Sequence, residues 1–224
     1  MSRWLMLSLG LIVGMAAGSA YLSINRAENF PEKVPTHWNI NMEPDGFANR
    51  DDQFQVFWLM PVASIAVFAL LCALPWLSPA HFKIDDFRRV YDYIVFLIVA
   101  MLTSIHGVVL YGQAHGQLST RWFLGGFFLF FGLLGNVLGK VRKNFWVGVR
   151  TPWTLANDRV WNDTHRLAGR LFVGVGLLGV PLLFLPVPIE SLFIIVITAI
   201  MAAAIIPAVY SAVHYKKLQA QGQI

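Results

Sequence analysis

A chain of 224 residues with 57% apolar side chains, only 13% charged ones and a mean hydropathy of +0.59 has too little polar surface to cover a soluble core, which excludes an ordinary water-soluble globular domain. The formal charge of +5 does not mark a nucleic-acid surface, because the basic residues are segregated along the chain rather than gathered on one patch. Cys72 is the single cysteine, so an internal disulfide and a thiolate metal cluster are excluded as well.

Six apolar stretches follow one another at residues 4–22, 56–77, 91–111, 122–138, 167–185 and 192–213. Each is close to the length at which a helix rising about 1.5 Å per residue crosses a hydrocarbon core of about 30 Å. The segments at one set of ends, namely the N-terminus, the 78–90 loop, 139–170 and the C-terminal tail, hold 13 of the 17 lysines and arginines, and the intervening loops hold four. Basic residues are retained in the cytoplasm, so the expected fold is an all-α membrane protein of six transmembrane helices with both termini cytoplasmic. Residues 25–52, 113–121 and 186–191 then lie outside. Two divisions are expected: residues 1–80, a helix pair with an outer loop at 25–55, and residues 81–224, a four-helix membrane domain with an inner motif loop at 139–166.

The first stretch also has the charge and small residues of a cleavable secretory signal, ending at Gly18-Ser19-Ala20. A retained helix is the preferred reading. Gly10, Gly14 and Gly18 recur every four residues and predict close approach of another helix along that face. The outer loop that follows contains Pro35-Thr36-His37-Trp38-Asn39 and Glu43-Pro44-Asp45-Gly46-Phe47. The second of these predicts a type I turn over residues 43–46, with residues 36–40 extended beside it. Six acids against three bases make the loop a landing surface for a cationic peptide, with His37, Trp38, Asn39, Asp45 and Gly46 as its peptide-facing residues. The plainer alternative is a solvated loop with aromatic anchors.

In the third stretch, His106 is the one ionisable residue well inside a span. A histidine satisfied by a neighbouring helix is the simpler reading, and a metal site shared with His37 and His115 is the alternative. Farther on, the inner loop runs from Asn144 to Arg166. Thr151 before Pro152 and Asn157 before Asp158 are both helix starts. A helix from Asn157 places Trp161, His165 and Gly169 on one face. Three tryptophans there suit a headgroup belt, but Arg150 beside Thr151-Pro152-Trp153, with His165 and Arg166 returning, specifies a rigid turn carrying donors for an anion or carboxylate. Asn144, Arg150, Thr151, Pro152, Trp153, Trp161, His165 and Arg166 are therefore the candidate partner-binding or anion-binding residues.

These segments carry a resemblance. Asn144, Gly148, Arg150-Thr151-Pro152-Trp153-Thr154-Leu155, Val160-Trp161, Thr164-His165-Arg166 and Gly169 are similar in order and spacing to the SdpI family of bacterial membrane proteins. The outer Pro35-x-His37-Trp38-Asn39 and Glu43–Phe47 segments resemble the extracytoplasmic module that precedes that domain. One departure is Met42, where the module commonly has glycine; it predicts that the positive-φ position moves, to Asn41. The resemblance implies immunity to a secreted killing peptide and, in the founding system, sequestration of a transcriptional repressor at the membrane. The expected partners are membrane lipid, a toxic peptide outside and a soluble regulator inside. No catalytic residue, metal or cofactor is expected. Two other classes stay open: a membrane enzyme or lipid/anion-binding protein acting at the inner leaflet, with Arg150 and Arg166 on the anion and His165 or Asp163 moving protons, and a transporter. The absence of a nucleophile-base motif weighs against the enzyme, and the scarcity of charge deep in the spans weighs against the transporter.

Overall fold

The computed structural model describes residues 1–39, 43–79, 82–118 and 120–224, and the chain is mostly helical. Helix α1 spans Arg3–Ile24, its start capped by Ser2, whose Oγ accepts the Leu5 N–H. A single turn, α2 (Arg26–Asn29), leads to a hairpin of β1 (Lys33–Trp38) and β2 (Pro44–Asn49). A π-helical turn, Phe54–Trp58, opens α3 (Leu59–Ala73). A 3₁₀ turn, Asp85–Phe87, opens α4 (Arg88–His115), which is followed by α5 (Thr120–Leu138), the short α6 (Pro152–Ala156), α7 (Asp158–Leu182) and α8 (Ile189–Ala220).

Among the described residues, five helical segments are long and apolar enough to cross a membrane: Arg3–Ile24, Phe54–Ala73, Asp85–His115, Thr120–Leu138 and Ile189–Ala220. Helix α7 is long enough, but Arg159, Asp163, Arg166 and Arg170 make its first half polar. The all-α expectation needs one amendment, the antiparallel hairpin, whose backbone groups pair across the two strands.

Packing places α1 and α3 against α4, and α7 between α5 and α8, with α4 also touching α5. The end that carries the 139–166 loop is closed by a core of Ile84, Phe87, Tyr91, Val141, Trp161 and Phe172. At the opposite end Val34 of β1 is fully buried with Phe30, Phe57 and Leu110, which seats the hairpin on α4. Cys72 packs against the first of these cores.

The closest helix pair is α5 with α7. A methyl group built on Gly135 would stand 2.6 Å from the Val173 nitrogen and 2.7 Å from the Gly169 oxygen, and one on Gly176 would stand 2.6 Å from Gly132 Cα. Only glycine allows backbones this near, and in lipid such contact replaces the hydrophobic drive that water supplies. The α1 glycines behave otherwise. A methyl group on Gly10, Gly14 or Gly18 would meet nothing within 4 Å, so the expected close approach is not made within this chain. Helix α1 instead packs through Leu5, Ser8, Ile12, Met15, Ser19 and Ser23, a different face of the helix. Ser19 Oγ and His106 Nε2 are hydrogen-bonded at 2.8 Å, so the histidine is satisfied by a neighbouring helix. His115 and His37 find separate partners in the Tyr111 carbonyl and Asp45.

Candidate functional site

The inner loop is built by its own side chains. Asn144 is fully buried and uses every polar atom: Oδ1 accepts from the backbone N–H of Trp146 and of Val147, both at 2.7 Å, and Nδ2 donates to the carbonyls of Arg142 and Val147, both at 2.9 Å. A local amide that replaces backbone pairing in this way sets the direction of the chain without helix or sheet. Gly148 follows at φ 115°, a conformation that L side chains rarely adopt.

His165 then locks the turn to α7. Its Nδ1–H donates to the Trp161 carbonyl at 2.8 Å, and its Nε2 accepts the Val149 N–H at 3.0 Å. A carbonyl can only accept and an amide N–H can only donate, so the ring is neutral with its proton on Nδ1. Burial also holds the imidazole below its ordinary pKa. The ring stacks on Trp161, with centroids 4.1 Å apart, and Trp161 Nε1–H donates to the Val141 carbonyl at 2.8 Å.

Both expected helix starts are present. Thr151 caps α6 through a capping box: its Oγ1 accepts the Thr154 N–H at 3.2 Å, and Thr154 Oγ1 accepts the Thr151 N–H at 3.0 Å. Asn157 Oδ1 caps α7 by accepting from Arg159 and Val160. Lys143 pairs with Asp158 at 2.6 Å, beside the N-terminus of α7.

Of the eight inner candidates, Asn144, Thr151, Trp161 and His165 thus make the frame. Arg150, Pro152 and Arg166 are exposed and Trp153 is half-buried. The Arg150 guanidinium lies over the Phe145 ring, 4.6 Å from its centroid, and makes no ion pair among the described residues. Arg166 lies beside Gly139 at the end of α5. His165 returns to the turn as expected, whereas Arg166 on the next position points along a different seam. Sequence reasoning missed Ser78, which accepts from Trp146 Nε1 at 2.8 Å, and Ser211, hydrogen-bonded to Thr151 Oγ1 at 2.8 Å. Neither serine stands in a motif. The glycines of α5 and α7 were a legible signal that went unused.

In the 25–55 loop, the expected turn over residues 43–46 is not formed. Pro44, Asp45 and Gly46 lie in β2, and the Asn39 N–H donates to the Glu43 carbonyl at 2.9 Å, continuing the pairing of the two strands beyond Trp38 and Pro44. Pro44 opens the strand, where a missing N–H is tolerated. Gly46 is needed for another reason: a methyl group there would stand 2.9 Å from His37 Cβ. The positive-φ expectation at Asn41 lies outside the described residues, as do Ile40 and Met42. His37 Nδ1 and Asp45 Oδ1 are 2.5 Å apart on the exposed face, and Phe47 is exposed. Trp38 instead leans on α4 at Gly112.

Residues 140–211 match the SdpI/YfhL protein family, and residues 11–65 match a domain of unknown function, DUF1648. The immunity protein SdpI of Bacillus subtilis (strain 168) is 25% identical over 199 residues, covering 88% of this chain and 90% of that protein. No solved structure matches.

Proposed function

We propose that this chain, similar to the SdpI/YfhL family over residues 140–211 and to an immunity protein along 88% of its length, is a non-enzymatic multi-pass protein of the bacterial membrane that confers tolerance to a toxic peptide. The observation that carries the reading is likeness to an immunity protein along 88% of the chain. Six spans with both termini cytoplasmic complete the arrangement: α7 is the sixth, its polar first half emerging on the side that holds most of the lysines and arginines.

The work divides between residues 1–80, which carry the hairpin, and residues 81–224, which carry the inner turn. Outside, Asp45 and His37 lie exposed, with Asn39 just past β1, and Glu28, Glu32 and Glu43 add negative charge, suited to a cationic peptide. Trp38 and Gly46 hold the hairpin's shape beneath them. Inside, the hydrogen-bonded frame of Asn144, Thr151, Trp161 and His165 presents Arg150, Pro152 and Trp153 on a stiff surface suited to a soluble regulator's carboxylates.

The test is genetic. The chain is produced in Bacillus subtilis lacking its own immunity protein SdpI, and survival is measured during challenge with that strain's killing peptide. Survival restored by the intact chain, and reduced by Asp45→Lys with membrane levels unchanged, is the expected result. Failure of a well-inserted chain to protect at any peptide dose rules out that peptide as its target. A second reading, an anion-binding protein of the inner leaflet, is favoured by Arg150, which makes no ion pair among the described residues, and differs in leaving survival unchanged.

A further inference from the structure

A groove of about 490 Å³ runs along the seam of α5 and α7, within the roughly 300–1,000 Å³ of small-molecule sites. Leu129, Leu133 and Asn136 line it from α5, and Val173, Leu177 and Val180 from α7. It opens sideways: Leu129 and Leu177 are exposed apolar residues on helices that face lipid.

The same two faces continue past the groove toward the inner turn. On α5 the i, i+4, i+7 series Leu129, Leu133, Asn136 runs toward the turn just past the helix end, which carries Lys140, and on α7 the series Val180, Leu177, Val173 runs back to Arg170 and Arg166. Gly139 against Arg166 shows that these ends adjoin, since a methyl group on Gly139 would stand 3.6 Å from Arg166 Cα. Lys140, Arg166 and Arg170 are all exposed, and none makes an ion pair among the described residues. Arg166 and Arg170 are also like charges at i, i+4, a spacing that repels unless an anion lies between them.

We infer that the α5–α7 seam is a binding site for an anionic phospholipid, one acyl chain lying in the groove and the phosphate held by Lys140, Arg166 and Arg170, with Asn136 at glycerol depth. A basic cluster between membrane helices on the cytoplasmic side is the arrangement that selects anionic headgroups, and guanidinium forks match phosphate oxygens. The tolerance reading above does not require this site, and lipid binding is measured without it.

The test uses the full chain, purified in mild detergent and titrated with phosphatidylglycerol or phosphatidylcholine of the same acyl chains, with adducts read by native mass spectrometry. Preferred retention of phosphatidylglycerol is expected. Replacing Arg166→Gln and Arg170→Gln together weakens it by roughly fivefold for each cation removed, and Arg166→Lys with Arg170→Lys keeps most of it. Leu133→Trp, which fills the groove, weakens both lipids, whereas Lys216→Gln with Lys217→Gln on the C-terminal tail changes neither. Equal retention of the two lipids, or an unchanged titration in the paired glutamine variant, overturns the site. So does displacement of phosphatidylglycerol by an equal concentration of inorganic phosphate, which makes it a phosphate site only. A two-chain species lost with Leu133→Trp while lipid retention stays constant assigns the groove to a second copy.

Discussion

Val149 and His165, sixteen residues apart in sequence, are joined by a 3.0 Å hydrogen bond from the Val149 N–H to His165 Nε2, and the ring so placed fills the space that a side chain at 148 would need. Gly148→Ala therefore meets two obstacles, the left-handed backbone at φ 115° and the imidazole itself. The expected cost is about 1–3 kcal/mol. Thermal unfolding in detergent measures it. His165→Ala removes the second obstacle, so the double variant should lose less than the sum of the two single changes; strict additivity contradicts a direct clash.

His165 also predicts a pH dependence. The residue stands two positions ahead of the apolar run 167–185, and burial lowers its pKa. A histidine held neutral in the fold stabilises fully above its ordinary pKa of about 6.5, and that contribution is lost as pH falls toward the depressed folded value. Acidification should therefore loosen the inner turn. Protease cleavage between residues 143 and 157 in inside-out vesicles should rise from about pH 7.5 to about pH 5.5. His165→Gln should cleave at a rate that no longer varies over this range.

The two sets of glycines should part sharply. Gly135→Leu drives a side chain into the α7 backbone, which has no rotamer by which to yield. Loss of the folded species after detergent extraction is expected, a penalty of several kcal/mol by analogy with overpacked cores, where about 1–3 kcal/mol follows from far smaller insertions. Gly14→Leu meets open space and should change stability by less than about 0.5 kcal/mol. Size-exclusion profiles of the two variants decide the matter, and a collapsed Gly14→Leu profile points to a contact made between chains.

On the inner surface, Arg150→Ala and Trp153→Ala should leave insertion and unfolding temperature close to those of the parent, because neither side chain is part of the hydrogen-bonded frame. A photo-crosslinking residue at position 153 in the native host should capture a soluble protein, and Arg150→Ala should reduce that capture about tenfold, the effect of losing one charge-assisted contact of about 1.4 kcal/mol. Crosslinks to lipid alone contradict a regulator-binding role for this face.

How much was legible depended on how local the cause was. The caps at Thr151 and Asn157 could be read because a cap acts within three residues. The return of His165 was legible from helical spacing once the Asn157 start was known. The 43–46 turn was misplaced because a local Pro-Asp-Gly preference yielded to pairing with β1, where Gly46 is required opposite His37. The partner of a helical glycine is set by another helix dozens of residues away, so periodicity alone pointed to Gly10, Gly14 and Gly18, while the contacts lie at Gly135 and Gly169. Ser78 and Ser211 were invisible for the same reason: a hydroxyl within reach of Trp146 or Thr151 is a product of tertiary structure.

Those two serines give the inner turn an unusual mechanical position. Trp146 is tethered to the segment just after α3, and Thr151 to the C-terminal third of the last helix, so the four residues between them bridge the early and late parts of the chain. A loop anchored at one end flaps; one stapled at both moves as a plate. Arg150, lying between the two staples, is thus held to the segment after α3 and to α8 together, and α3 is the helix that begins beneath the hairpin.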